Sequence, residues 1–341
     1  MKLLAFGEIM GRMTTHGHER IRQARDYTLY FAGSEANVAV CLAQFGADAA
    51  FVTKLPDNDL GEATLRSLRA MGVDVSRVLR GGPRLGMFFA EHGAACRSGK
   101  VIYDRAGSSI ATATPEEFDW NSLLNGFDHF HLTGITPALS DSCARMCLDA
   151  ARVARTRGIT VSCDINYRAA LWTTDAAGRV LSELMPYVDV AIANEEHMRE
   201  LFGIHPLPAH IGADGELTDE GYSSLAARFS EKFRIPTVAM TLRRTLTADD
   251  NRIRGMVWTD GHSAFSRWYD LHMIDRFGGG DAFTAGLLYA RAHGMTPEDG
   301  VEFATASPAL KHSIESDYND VTLSEVMSLA RSSRGAGRMK R

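Results

Sequence analysis

Residues 275–290 read DRFGGGDAFTAGLLYA, in which three consecutive glycines deliver one carboxylate to the mouth of an apolar helix. Gly278, Gly279 and Gly280 lack Cβ atoms, so their backbone can turn sharply and aim several N–H groups at one point. Ala282, Phe283, Ala285, Gly286, Leu287 and Leu288 then read as a buried helix, whose N-terminus carries partial positive charge and favours an anion. Asp281, at the start of that helix, has two readings. It caps free backbone N–H groups, or it accepts a proton from a substrate hydroxyl.

Working outward, short apolar runs alternate with segments of helical period, the pattern of a parallel sheet with crossover helices, so the fold class is α/β. Residues 3–6, 50–53, 127–132, 160–163, 188–193 and 237–242 read as strands. Residues 36–45, 60–71, 140–157, 177–185 and 217–233 read as helices, the first two closed by Gly46 and Gly72. The last third is expected to be mostly helical. Residues 12–31 and 80–105 break the rhythm, and GMFFAEHGAACRSGKVIYDR has hairpin character around Gly93 and Gly99, which predicts a separate small sheet. The chain thus divides into an α/β core (1–11, 32–79 and 106–331), a small β unit (12–31 and 80–105) and a basic tail, 332–341, expected to be disordered.

The 341 residues are 45% hydrophobic and 23% charged with a formal net charge of -5, which gives no general attraction for nucleic acid. No stretch approaches the length of a membrane span, and the opening MKLLAFGEIM, interrupted by Glu8, reads as a first strand rather than a leader. Cys41, Cys96, Cys143, Cys147 and Cys163 form no CxxC pair, which points to a reducing cytoplasm; Cys143 and Cys147 read as core thiols. His16, His18, His129 and His131 form no metal-ligand pair on a helix. Gly7 and Gly11 have the wrong spacing for a dinucleotide fingerprint.

Residues 278–281, together with AGSEANVAVCLAQFGADAAFVTKLPDNDLGE at 32–62, resemble the two signatures of the ribokinase-like (PfkB) sugar kinases, and the resemblance spans nearly the whole chain. The family's DTxGAGD pattern stands here as DRFGGGD, with Gly279 in place of alanine. Within the family, GSEANVAV (33–40), VIYDRAGSS (101–109) and DINYRAALW (164–172) look like 2-dehydro-3-deoxygluconate kinases, the last with Ile165 where proline is usual.

The resemblance implies a three-layer α/β/α sandwich (ribokinase-like) with a small β-sheet lid, homo-oligomerisation through that lid, and ATP and Mg²⁺ as cofactors. The implied reaction moves the γ-phosphoryl group of ATP to a hydroxyl of 2-dehydro-3-deoxy-D-gluconate, with Asp281 as general base and the amides of Gly278, Gly279 and Gly280 as anion hole. Gly33, Ser34, Asn37, Tyr103 and Arg105 would meet the sugar acid, Arg168 its carboxylate or the transferring phosphate, and Asp317 would be a further substrate contact. A sugar-facing aromatic is expected near Phe88 and Phe89, with Phe89 at the position where tyrosine is common. On the ATP side the resemblance implies Thr241 and Arg243, with Asn166, Arg168, Gly278 and Gly280. Asn194, Glu195 and Glu196 would support Mg²⁺ through water, His197 standing where the family's NxxE pattern has glutamate. The residues supply physical grounds of their own: Arg105 and Arg168 are planar donors suited to carboxylate or phosphate. Phosphoryl transfer also needs positioning, charge neutralisation and a base. Two alternatives stand beside this reading. One is a kinase of another sugar, such as fructose, ribose or 5-dehydro-2-deoxygluconate; the other is a non-catalytic sugar-acid sensor.

Overall fold

The computed structural model describes residues 1–212 and 215–332. The expected disorder of the tail from 333 onward therefore lies outside the described residues.

Strand Lys2–Phe6 sits inside the main sheet, and Leu3, Leu4, Ala5 and Phe6 are all fully buried. A strand that is apolar on both sides belongs to a sheet covered on both faces. Leu3 and Ala5 join one core and Leu4 and Phe6 the other, as the two-residue period of a strand requires. From one edge the strands run Asp48–Val52, Lys2–Phe6, His129–Thr133, Thr160–Asp164, Val190–Ala193 and Thr237–Thr245, all parallel to their neighbours. Asp250–Thr259 and then His262–Phe265 continue the sheet antiparallel, and Tyr269–His272 also pairs with Asp250–Thr259. Helices Ser34–Gln44, Gly279–Ala292 and Pro297–Lys311 pack into the first core, and Asp141–Thr156, Thr174–Leu184 and Asp219–Phe233 into the second. The chain is a three-layer α/β/α sandwich with a smaller sheet beside it.

The expectation of a mostly helical last third is wrong for residues 250–272, which form three strands. Their signal is weak because Arg252 and Arg254 alternate with the buried Asn251 and Ile253, and both arginines lie over the Trp268 ring instead of in an apolar run.

The smaller sheet runs Thr28–Ala32, Met10–Thr14, Gly86–Glu91 and Lys100–Asp104. Gly86, Phe88 and Ala90 are buried on one face, while Met87, Phe89 and Glu91 are half-buried on the other. Met10, Ala32, Phe88 and Ala90 make its own small core, against which Phe277 of the glycine turn packs. This brings the small sheet over the C-terminal ends of the parallel strands, where open α/β sheets place their ligand crevices.

Candidate active site

Gly278 adopts φ +73, and a Cβ there would run into the carbonyl of Asp317, so only glycine fits. It is the N-cap of helix Gly279–Ala292 and, having no side chain, leaves the first N–H groups of that helix open. Asp281 does not cap them. Its Oδ1 accepts from Ser34 Oγ at 2.5 Å and its Oδ2 from Asn37 Nδ2 at 2.7 Å. Ser34 Oγ in turn accepts from Asn166 Nδ2 at 3.0 Å, and Asn166 holds a left-handed φ of +36 with its N–H on Asp164 Oδ1. Backbone strain of this kind persists where surroundings over-determine it, commonly at functional sites. Burial pushes the Asp281 carboxyl up, opposed by hydrogen bonds from Ser34 and Asn37 and by the charges of Arg168 and Lys311. Burial likewise pushes Glu35, bonded to Thr133 and Thr136, and Asp164 up to about 7.

The glycine turn separates two cavities. The first, about 610 Å³ with its open mouth included, is lined by Gly33, Ser34, Asn37, Tyr103, Arg105, Asn166, Arg168, Gly278, Asp281 and Asp317. It thus gathers the residues expected around the sugar, with one exception. Phe88 lines it, while Phe89 points to the other face of the small sheet and stacks edge-on against Tyr27. Neighbouring strand residues face opposite ways, so only one of the two could be right. The cavity's cations are also unequal. Arg105 donates through Nε and Nη2 to Glu8, a buried carboxylate that Ser108 also bonds, so its charge is already matched. Arg168 is exposed at the mouth and carries no ion pair among the described residues. Asp317 is held by Arg12 at 2.6 Å, and burial raises it to about 6 against the pull of that guanidinium.

The second cavity, about 340 Å³, is lined by Thr241, Arg243, Arg254, Gly279, Gly280, Phe283, Thr305, Pro308 and His312. Thr241, Arg243 and Gly280, expected on the ATP side, lie here. Asn166, Arg168 and Gly278, also assigned to that side, lie in the first cavity instead, because the turn passes between them. A Cβ on Gly279 would run into Cε1 and Nε2 of His312, whose Nδ1 bonds the carbonyl oxygen of Asp275 at 2.9 Å. Burial drives His312 down to about 4, so the ring is neutral.

Asn194 caps helix Glu195–Phe202 by accepting from the His197 N–H at 2.7 Å, and Glu195 and Glu196 occupy its first turn. None of the three lines either cavity. Among the described residues no group of three or more His, Cys, Asp or Glu is placed to hold a metal ion.

Sequence reasoning missed Glu8, Arg12, Glu35, Lys311 and His312 as parts of this region. Glu8 had a signal, since it interrupts the first apolar run. Arg12 had none: its guanidinium is fully buried between Asp275 and Asp317 and lies 4.0 Å over the Phe277 ring, partners 263 and more positions away in the chain.

A family profile described as pfkB family carbohydrate kinase matches residues 2–320. The 2-dehydro-3-deoxygalactonokinase of Haloferax volcanii is 32% identical over 326 residues, 95% of each chain. The 2-dehydro-3-deoxygluconokinase of Thermoproteus tenax is 28% identical over 321 residues, 93% of this chain and 90% of that one. The crystal structure of 2-dehydro-3-deoxygluconokinase from Thermotoga maritima superposes with a TM-score of 0.93 at 43% identity, covering 97% of this chain and 100% of that one. With a match across nearly its whole length and relatives of this similarity, the chain belongs to the pfkB family of carbohydrate kinases.

Proposed function

We propose that this kinase transfers the γ-phosphoryl group of ATP to a hydroxyl of 2-dehydro-3-deoxy-D-gluconate. The single observation that carries the acid-substrate reading is Arg168. It is a guanidinium with no ion pair among the described residues, placed at the mouth of the cavity that holds Asp281, where a substrate carboxylate would meet it. The relatives named for 2-dehydro-3-deoxy sugar acids support the same class. Because one relative is named for the galacto acid, discrimination at a single hydroxyl is part of the test.

In this reading the sugar acid occupies the first cavity, against Gly33, Phe88, Tyr103 and Asp317, with its carboxylate toward Arg168. Ser34 and Asn37 fix both oxygens of Asp281, which takes the proton of the attacking hydroxyl. The nucleotide lies in the second cavity against Thr241 and Arg243, and the open amides after Gly278 meet the travelling phosphoryl group. Mg²⁺ would come with the nucleotide and supply charge neutralisation at its phosphates. Asn194, Glu195 and Glu196, expected to support it through water, line neither cavity, and no step is assigned to them. The small sheet acts as a lid that excludes water. Leu29, Ile102 and Tyr103 stay exposed on it, which supports a homo-oligomer built through the lid. Five free cysteines support a cytoplasmic location.

The test is ADP release from Mg-ATP with a panel of 2-dehydro-3-deoxy-gluconate, its galacto epimer, 5-dehydro-2-deoxygluconate, fructose and ribose. The reading requires the highest kcat/KM on a 2-dehydro-3-deoxy acid. Preference for a neutral sugar removes the role of Arg168, and binding of acids without ADP release from any of the panel marks a sensor.

A further inference from the structure

Lys311 ends helix Pro297–Lys311 with its side chain fully buried. Removing an ammonium from water costs several kcal/mol unless partners offset it, so such a residue is retained for a reason. Its Nζ donates to the carbonyl oxygen of Ile314 at 3.0 Å, and its Cε would lie 3.3 Å from a Cβ on Gly278. The lysine stem therefore packs directly behind the glycine turn. Four charged side chains act on it electrostatically: Asp275 from the start of the turn, Asp317 from the segment after the helix, Arg12 from strand Met10–Thr14, and Asp281 from helix Gly279–Ala292. Arg12 is committed to Asp275 and Asp317 through ion pairs of 2.8 and 2.6 Å. One guanidinium against two carboxylates leaves Lys311 as the second cation of this cluster, and its charge also reaches Asp281 across the turn.

We propose that Lys311 is a positioning residue whose buried ammonium braces the glycine turn from behind and keeps Asp281 ionised, ready to accept the hydroxyl proton. The inference rests on the reading of Asp281 as general base. Burial lowers Lys311 while Asp275 and Asp317 raise it, and Arg12 lowers it. Around Asp281, the opposing charges are Arg168 and Lys311; Ser34 and Asn37 are its neutral donors, and the Glu35 and Asp164 carboxyls and the Cys41 thiol also face it. Removing the ammonium withdraws a charge that favours ionised Asp281, so its pKa rises further and less base is available in acid. The acid limb of the activity profile then moves toward higher pH.

The experiment compares the full-length protein with Lys311→Met and Lys311→Arg, following ADP release with 2-dehydro-3-deoxygluconate across pH. For Lys311→Met, kcat/KM falls roughly tenfold at the acid end and much less at the alkaline end, the scale of one nearby charge. Lys311→Arg keeps the original limb. Should the methionine protein not fold, Lys311→Ala prepared in methylammonium takes its place. Its turnover drops when the amine is dialysed away and returns when it is restored. An equal loss at every pH, or an alanine protein indifferent to the amine, overturns the proposal, because packing alone would then explain the residue. Asp281→Asn is measured alongside: near-normal turnover there removes the base reading itself, whereas an inactive Asp281→Asn with an unmoved limb in Lys311→Met removes only Lys311.

Discussion

Gly279→Ala adds one methyl group at the place where this chain departs from its family's pattern, and the structure makes it expensive. The new Cβ would press on Cε1 and Nε2 of His312 well inside van der Waals contact, so the ring must retreat by about 1 Å to reach ordinary carbon separations. Retreat breaks the 2.9 Å bond from His312 to the Asp275 carbonyl, about 1 kcal/mol. Overpacking of the buried surroundings adds about 1–3 kcal/mol. The total, about 2–4 kcal/mol, lowers the melting temperature of a chain of this length by about 3–6 °C on the usual unfolding entropy per residue. If the turn moves instead of the ring, the amides proposed to hold the phosphoryl group shift by a similar distance, and such a misplacement would cost about a hundredfold in turnover. His312→Ala clears the space, so the alanine at 279 should cost almost nothing in that background. Thermal melts and steady-state kinetics of the two single variants and the double variant measure the coupling. A Gly279→Ala protein with unchanged melting and turnover, or one that His312→Ala does not relieve, refutes this account of the glycine.

Asp281→Asn should keep substrate affinity while turnover falls by about a hundredfold or more, the scale of losing a general base, with calorimetric binding and ADP release separating the two. If Asp281 is the general base, wild-type kcat/KM should climb with pH on the acid side, because a base acts in its ionised form and burial raises the Asp281 pKa; a flat profile there argues against it. Arg168→Ala should raise KM for acid substrates far more than for neutral analogues. Arg105→Ala should chiefly lower the urea midpoint by stranding Glu8, and the reverse assignment of effects would exchange their roles. Arg12→Met removes the guanidinium paired with the buried Asp275 and Asp317, leaving Lys311 as the cation near both, and should destabilise by about 3–5 kcal/mol. Partial recovery on adding Asp317→Asn checks that charge, rather than packing, is responsible.

The sandwich was legible because its strands are strong local signals. Lys2–Phe6 and Val190–Ala193 are short apolar runs buried on both faces. Asp250–Thr259 was not, since exposed and half-buried positions alternate with buried ones along its first half and its arginines lie over an indole that no local pattern announces. Within the site, Ser34, Asn37, Asp281 and Gly278 could be named because each lies in a short local motif, although the bonds that join them cross 244 positions or more. Choosing Phe88 over Phe89 required knowing which face of the small sheet meets the glycine turn, a fact of packing between distant segments. The pairing of Glu8 with Arg105 spans 97 positions, so the sequence could offer Arg105 as a cation but not reveal that its charge was already matched. Gly279 shows the same limit: the missing alanine is visible in the string, and the imidazole that excludes it is not.

The partition made by Gly278, Gly279 and Gly280 has a kinetic consequence. With Asp281 lining one compartment and Thr241 the other, two reactants would be held at once on either side of the turn before transfer. Initial-rate plots should then intersect, as for a ternary complex, instead of running parallel as in ping-pong turnover. If Asp281 is the base, the protein itself should carry no phosphate between cycles, because both oxygens of that carboxylate are already engaged by Ser34 and Asn37.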